Sequence, residues 1–348
     1  HTGKGGATAY VGASDASVSL LGVDVSSATA KSNATSNAYI AGTVISEGDI
    51  SVLSQGASIA DATIGNGTSV EFVGVGVAHV SAEAAGAFNA YIDTDVRDSA
   101  GTALSSVEMT PDDVNVRAFY YAVARASVVS PDGGVSAGVV TVEVNVAYSN
   151  VTTEAMAAIK GSGAIGNDSV SAGDINVSVQ GYTLSLASVA NSSLNFSLVS
   201  IAATALTALL NSIQQAFIQN TTIYASAVTI SSVLNDQDYL IDNVTFSLTT
   251  ITGDNTQYGG AYAIHGGNGD HDNGATLSLV SEAVNSASAT SNAKGYAYTD
   301  GAETEISGTL SVTSSGISRA TARIETGTAF SLVAIGVVVM SADASGEF

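Results

Sequence analysis

The side chains best suited to bind a metal ion lie in a glycine-rich segment, residues 265–274. This segment offers carboxylate and amide oxygens from four residues, Asn268, Asp270, Asp272 and Asn273. Oxygen ligands on a turn are what Ca²⁺ prefers in proteins. The pattern therefore predicts calcium as a ligand of this loop, and an ordinary polar turn is the alternative interpretation.

Catalytic patterns are weak in this chain. His265 precedes the acidic residues of that loop and His271 lies between them, but a third well-placed ligand for a transition metal is missing. The chain has four His and one G-x-S-x-G match, at residues 134–138, with no predicted helix directly after it. We therefore expect that the protein is not an enzyme. A polysaccharide-cleaving site would need acidic residues beside a base, and only Arg117 and Arg125 keep that alternative open.

Potential glycan attachment sites are frequent. Asn-x-Ser/Thr sequons are acceptors of N-linked glycans on extracellular surfaces. In a chain rich in Asn, Ser and Thr, several would also arise by chance. The sequence predicts candidate attachment at Asn33, Asn66, Asn150, Asn167, Asn176, Asn191, Asn195, Asn220 and Asn243.

Charge and composition exclude several classes of protein. The 348 residues include 31 acidic and 9 basic side chains, which give a net charge of −22. Phosphate binding requires clustered Lys and Arg, so we expect neither nucleic acid nor an anionic membrane as a partner. The absence of Cys excludes disulfides and thiolate sites. With 45% hydrophobic residues, the chain can bury a large core.

An internal repeat organises the chain. Each copy opens with an alternating apolar segment and ends in an anchor of the form Ala-aromatic-apolar, such as NAYI. Five copies occur, and a sixth is cut short. They span residues 16–40, 70–92, 137–159, 194–218 and 275–299. A short motif of the form G-D-I-x-V follows each anchor after a loop of variable length. It occupies residues 48–52, 112–116, 173–177, 225–230 and 308–312.

The periodicity inside each copy is that of a β-strand. Val140, Val142 and Val144 alternate with Thr141 and Glu143, so they fall on opposite faces. Residues 202–213 are the exception, because their Ala and Leu spacing also suits a short helix. Their place in the repeat favours a strand.

These patterns predict an all-β fold, a parallel β-helix or β-solenoid built from about five degenerate repeats. Small and β-branched residues suit a narrow interior in which equivalent positions stack. At about two coils per unit, the rod would be about 50–60 Å long. An antiparallel β-sandwich is the alternative. We expect residues 1–348 to form one elongated repeat domain, with units starting near 16, 70, 137, 194, 275 and 328 and an insertion loop at about 234–274.

The order of these motifs resembles the repeats of very large bacterial surface proteins, the leukotoxin-like filamentous adhesin group. The alternating segment, the NAYI-like anchor and the G-D-I-x-V motif carry the resemblance over essentially the whole chain. It implies a secreted, repetitive β-solenoid stalk or fibre. Residues 194–218 and 234–274 depart from the pattern.

The two ends of the chain suggest assembly. The chain begins at His1, which indicates a processed product or a piece of a longer protein. The anchor-like segment ATAYV contains Ala9, Tyr10 and Val11, and the C-terminal segment contains Gly346 and Phe348. A head-to-tail contact that does not close generates a filament. These residues are therefore candidates for contact between copies, although the open ends of any repeat array look similar.

We therefore expect an extracellular structural or adhesive protein at the cell surface. Its partners would be further copies of itself, flanking repeats of a longer chain, or cell-surface glycans. Divalent cations such as calcium would bridge its acidic surfaces. A carbohydrate-binding or polysaccharide-cleaving β-helix is the alternative function, and membrane insertion is not expected.

Overall fold

The computed structural model describes residues 2–12, 17–42, 48–65, 69–95, 108–109, 111–129, 135–190, 194–235, 259–265, 276–324 and 329–348. Within these ranges the regular structure consists of strands, without a helix. In chain order, the strands are β1 (Thr2–Val11), β2 (Ser17–Ala41), β3 (Ile50–Gly65), β4 (Ser69–Asp93), β5 (Glu108–Met109), β6 (Val114–Val129), β7 (Val135–Lys160), β8 (Ala164–Ile165), β9 (Ala172–Ala190), β10 (Leu194–Gln219), β11 (Thr222–Leu234), β12 (Gly260–His265), β13 (Thr276–Asp300), β14 (Glu303–Ile306), β15 (Leu310–Gly316), β16 (Ala320–Ile324) and β17 (Ala329–Ala344).

These strands form two parallel sheets. Sheet I has the order β2-β4-β7-β10-β13-β17. Sheet II follows the path β1-β3-β6-β9-β11-β8-β5, with β14 and β15 also on β11, β12 on β9, and β16 on β12. The chain alternates between the sheets, and neighbouring strands within each sheet come from successive turns of the chain. This is a parallel β-helix, as predicted. The antiparallel sandwich is excluded for the described strands, since their pairings are parallel.

Each repeat unit forms one coil and not two. One long sheet I strand and one sheet II strand, in places broken into shorter pieces, complete each turn of the chain. Six sheet I strands at a spacing of about 4.8 Å extend about 24 Å along the stack. A strand of 25 residues follows a path of about 80 Å. The predicted rod length of about 50–60 Å is therefore wrong, because the short motif belongs to the coil of its own unit.

The anchors stack in register across sheet I. Ile40 pairs with Ile92, which pairs with Ile159, and the row continues through Ile218 to Thr299. The G-D-I-x-V motifs do the same in sheet II, where residues 50, 114, 175, 228 and 310 form one row. Residues 202–213, for which a helix was an alternative, lie in β10. Equivalent positions of the repeat thus occupy equivalent positions of the coil.

The interior lies between the two sheets and is filled mainly by small residues. Buried positions alternate along the strands, as in β3 and β6. Where residues stacked in one row differ in size, the large one fills the space beside the small one. The buried ring of Tyr120 stacks on Phe88 and fills the space beside Gly181, where a Cβ atom would overlap it. Serine pairs connect the sheets, and Ser58 Oγ donates to Ser32 Oγ over 3.0 Å. These contacts satisfy buried hydroxyls.

Each sheet I strand turns a sharp corner near its start. Asn195 Nδ2 donates to Ser200 Oγ over 3.3 Å, although five residues of straight strand span about 16 Å. A Cβ on Gly74 would lie 3.5 Å from Glu71 Cβ, three residues earlier. The pairing also skips one position in every strand, such as Phe72 in β4. Glycine on the inside of the corner lets the backbone approach itself closely.

Part of the predicted insertion belongs to the sheets. β12 lies within 234–274, yet it pairs with β9 and β16 in sheet II. On the outer face of this sheet, Val123, Leu184, Leu186, Tyr262 and Ile264 form a second buried apolar cluster.

Candidate assembly edges

The two ends of the stack present strands that lack a neighbour on one side within the described chain. β2 is the first strand of sheet I, and β17 is the last. β1 begins sheet II beside β3, while β15 and β16 lie at the other end of that sheet. Such edges expose backbone N–H and C=O groups that can pair with another strand.

Large apolar side chains are most exposed on these terminal strands. Leu20 is 83% exposed on β2, and Leu332 is 86% exposed on β17. These two residues occupy equivalent positions at the strand corner. At the next position, Leu21 and Val333 are exposed, whereas Val140 of the central strand β7 is half-buried. A neighbouring strand is therefore what reduces the exposure of these positions.

The residues of β1 lie in a different sheet from the one that the sequence suggested. Ala9, Tyr10 and Val11 pair with Ala62, Thr63 and Ile64 of β3 in sheet II. The comparison of ATAYV with the sheet I anchor is therefore wrong. The segment belongs instead to a row of sheet II motifs, ATAYV, ADATI, ARASV and ATARI, at residues 7–11, 60–64, 124–128 and 320–324.

The C-terminal residues continue the register of β17 in sheet I. Glu347 bridges to Lys294, and Gly295 N–H donates to Glu347 O over 2.9 Å. Phe348 is half exposed, and its ring lies where Cβ atoms on Gly316 and Gly346 would stand. These residues pack against their own chain. Contact of Gly346 or Phe348 with a second copy stays a prediction.

An aromatic row runs along the outer face of sheet I at the anchors. The rings of Tyr39 and Tyr91 stack at 5.3 Å, and those of Phe217 and Tyr298 stack at 5.1 Å. Ala158 interrupts the row, and there Lys160 Nζ lies 4.7 Å from the Tyr91 ring centroid. One face of Tyr39 is open at the β2 edge, since this side chain is 60% exposed.

The predicted metal ligands lie outside the described residues, so the structure does not place Asn268, Asp270, Asp272 or Asn273. In the part of the chain that is described, no three His, Asp or Glu side chains are grouped as a metal site. A smaller acidic turn is hydrogen-bonded within the chain, since Asp95 Oδ1 accepts hydrogen bonds from Ser162 N–H and Oγ–H.

The sequons occupy varied positions. Asn33 is exposed on β2, and Asn220 is exposed at a turn with φ of 56°. Asn195 is half-buried inside the strand corner, which disfavours modification there. Asn150, Asn167 and Asn176 are also half-buried. The remaining three, Asn66, Asn191 and Asn243, lie outside the described residues.

The two basic residues on which a polysaccharide site would depend, Arg117 and Arg125, contact side chains of their own chain. Arg125 Nη2 lies 2.6 Å from Asp61 Oδ2, and Arg117 Nη2 donates to Asn115 Oδ1 over 3.0 Å. Beside Arg125, Tyr121 stacks on Tyr182 at 5.0 Å. Burial raises the pKa of both phenols, so they remain neutral at physiological pH.

Burial also shifts the pKa values of two further side chains, Tyr120 and His265. Burial raises the pKa of Tyr120 to about 12, and hydrogen bonds to Ser212 and Thr153 oppose this shift. Burial lowers the pKa of His265.

Among the described residues, no helix is long and apolar enough to span a membrane. Comparison with known proteins finds no matching family model, no matching curated protein and no matching solved structure.

Proposed function

We propose that this chain is a structural segment of an extracellular fibre or cell-surface stalk, with adhesive roles at the cell surface. The observation that carries the proposal is the pair of open, apolar sheet edges at opposite ends of one continuous stack. A strand added at either edge would pair its backbone and cover side chains that are now exposed.

The register of the stack supports one pairing for such an addition. Following the pairs from strand to strand, Val23 belongs to the same row as Ile335, and Val25 belongs to the same row as Val337. A further coil in this register would place β2 beside β17. In sheet II it would place Ala7 over Ala320, because both lie in one row of motifs.

Two sources can supply the added coil. A second copy of the chain would give a head-to-tail filament, since the contact is heterologous and does not close. Flanking repeats of a longer chain would extend the same stack covalently. Both lead to a fibre whose strands run across its axis.

The acidic composition fits an exposed fibre. A net charge of −22 opposes non-specific association between fibres. Calcium would reduce that repulsion by bridging carboxylates of neighbouring fibres, a role that needs no dedicated site in the described residues. Glycans of the cell surface remain the proposed adhesive partner.

The alternation of backbone groups provides a selective test. Ser345 N–H donates to Ser291 O over 2.8 Å and Glu347 N–H donates to Ala293 O over 3.4 Å, so odd-numbered residues of this strand donate toward β13. Because N–H groups alternate sides in a strand, Val338 N–H faces the open edge. Val338→Pro removes that donor while leaving the pairing with β13 in place.

Electron microscopy and analytical ultracentrifugation of the purified chain test self-addition. We expect filaments for the wild type and for Val338→Thr, which keeps the N–H group and the β-branched shape. Val338→Pro should abolish filaments. A wild type without filaments at any concentration, or filaments of Val338→Pro, would refute head-to-tail addition through this edge.

A further inference from the structure

A second apolar surface lies on the side of the stack. Beyond the corner of each sheet I strand, three outward-facing rows of six residues run the full height of the sheet. We call them the valine face: Leu21, Val73, Val140, Val199, Val280 and Val333; Val23, Val75, Val142, Ile201, Glu282 and Ile335; Val25, Val77, Val144, Ala203, Val284 and Val337.

Every residue of the valine face is at least partly exposed. The central strands supply half-buried members such as Val142 and Val144, and β13 supplies Val284 at 42% exposure. On β7, the strand of Val142 and Val144, the alternate positions Thr141 and Asn145 are buried. The sheet therefore turns its apolar side outward here, opposite to the usual arrangement in which apolar residues face the core.

Charge is nearly absent from this surface. The chain carries 31 acidic residues, but Glu282 is the one charged residue among the three rows. Acidic copies repel one another over most orientations, so a face without charge is the orientation in which two copies approach most easily. Charge distribution thus favours a second copy of this chain as the occupant.

The size of the face also fits a second copy. Counted at their full widths, three rows along the strands and six strands across cover about 20 Å by 29 Å, or roughly 600 Å². This is at the upper end of the largest apolar patch on a typical monomer, about 300–600 Å². Two such faces would bury about 1,200 Å² in total, the lower limit of specific, stable interfaces.

We propose that the valine face is a lateral interface between two copies of this chain. The two faces pack with their sheets about 10 Å apart, and their β-branched side chains interdigitate. The interface is isologous, with the same residues on both copies. Because each additional coil extends the rows, a longer stack buries proportionally more apolar area.

A segment of the same chain is a poorer candidate for this position. The longest range outside the described residues, 236–258, connects β11 to β12, and both of these strands lie in sheet II. A neutral lipid surface is the remaining competitor, and the experiment below includes it.

Lateral association can be separated from end-to-end addition by the choice of variants. Val338→Pro blocks the β17 edge and lies outside the valine face, so it provides the background. Adding Val142→Lys places a charge on the central strand β7, away from both edges. Thr152→Lys is the matched control, because it adds the same charge at an exposed position on that strand.

Sedimentation equilibrium gives the assembly state of each variant. We expect Val338→Pro and Val338→Pro/Thr152→Lys to form dimers of twice the 34.5 kDa chain mass. Val338→Pro/Val142→Lys should dimerise at least about 100-fold more weakly. Ile201→Lys, on the adjacent strand β10, should reproduce this loss, and circular dichroism verifies that each variant is folded.

Two results would overturn the lateral interface. One is a Val338→Pro protein that remains monomeric at all concentrations, including one that instead floats with phosphatidylcholine vesicles. The other is a folded Val142→Lys variant that dimerises as well as Thr152→Lys. Neither result bears on filament growth through β17, which the wild type and Val338→Thr report separately.

Discussion

Replacing Gly181 by Ala tests the packing of the stacked interior. A methyl group at this position would overlap the ring of Tyr120, which is fully buried. The ring cannot shift easily, because its hydroxyl lies 2.8 Å from Ser212 Oγ and donates to Gln214 Oε1 over 3.2 Å. Phe88 stacks on the same ring at 5.3 Å.

The size of the effect follows from two opposing contributions. Overpacking a dense core costs about 1–3 kcal/mol. The loss of glycine flexibility in the unfolded chain returns about 0.4–1 kcal/mol. We therefore expect Gly181→Ala to lower the free energy of unfolding by about 1–2 kcal/mol.

Urea denaturation followed by circular dichroism measures this change, with Gly76→Ala as the control. A Cβ on Gly76 would meet no heavy atom within 4 Å, so this variant should be neutral or slightly stabilised. The double variant Gly181→Ala/Tyr120→Ala should show a coupling energy, since removing the ring makes room for the methyl group. Equal unfolding midpoints for Gly181→Ala and Gly76→Ala would refute the reasoning.

Three further predictions concern the interior and its titratable groups. Ile159→Ala should lower the free energy of unfolding by about 2–5 kcal/mol in urea titrations, because this fully buried anchor leaves a cavity. Stability should fall as pH rises from 10 toward 12, since the pKa of Tyr120 is about 12 when folded and 10.0 when unfolded; Tyr120→Phe should reduce that fall in thermal melts. Because burial lowers the pKa of His265, the unfolded state binds its proton more readily, and stability should decrease as pH falls through 6.5. His265→Gln should lose less stability between pH 7 and pH 5, and an identical loss in both proteins would contradict this assignment.

The repeat architecture could be predicted because identical residues recur where the coils require them. Tyr39 and Tyr91 have the same neighbours in sequence and the same place in the coil, so aligning their motifs aligns their strands. The G-D-I-x-V motifs occupy one row of sheet II for the same reason. Repetition in the sequence therefore predicts which residues pair between neighbouring strands.

The incorrect or incomplete predictions have a common cause, because the same few residue types occur in both sheets and on both faces. Alternating Ala serves the interior of both sheets, as in Ala30 and Ala60, so ATAYV in β1 was assigned to the wrong sheet. The alternation of Val140 with Thr141 predicted a half-buried strand correctly. It could not tell which face was outward, because the corner that exposes the valines depends on contacts such as that between Asn195 and Ser200.

The candidate edges were only partly predictable. Terminal position suggested that Val11 and Phe348 take part in assembly. That stays a prediction, and the exposed side chains of β2 and β17 are a separate feature, since they lie within long strands whose central equivalents are partly covered. Exposure at an edge depends on which neighbour is missing, and a single strand sequence does not carry that information.

The stacking of repeats in register can be measured directly with paired cysteines, since the chain contains none of its own. Asn89 Nδ2 donates to Asn37 Oδ1 over 2.9 Å, and in-register neighbours place their Cα atoms about 4.8 Å apart, within the range of a disulfide. Asn37→Cys/Asn89→Cys should therefore form an intramolecular disulfide on mild oxidation, as read by mass spectrometry. Asn37→Cys/Ala87→Cys, shifted by two residues to about 8 Å, should remain reduced. Oxidation of the shifted pair, or of neither pair, would contradict the in-register β-helix.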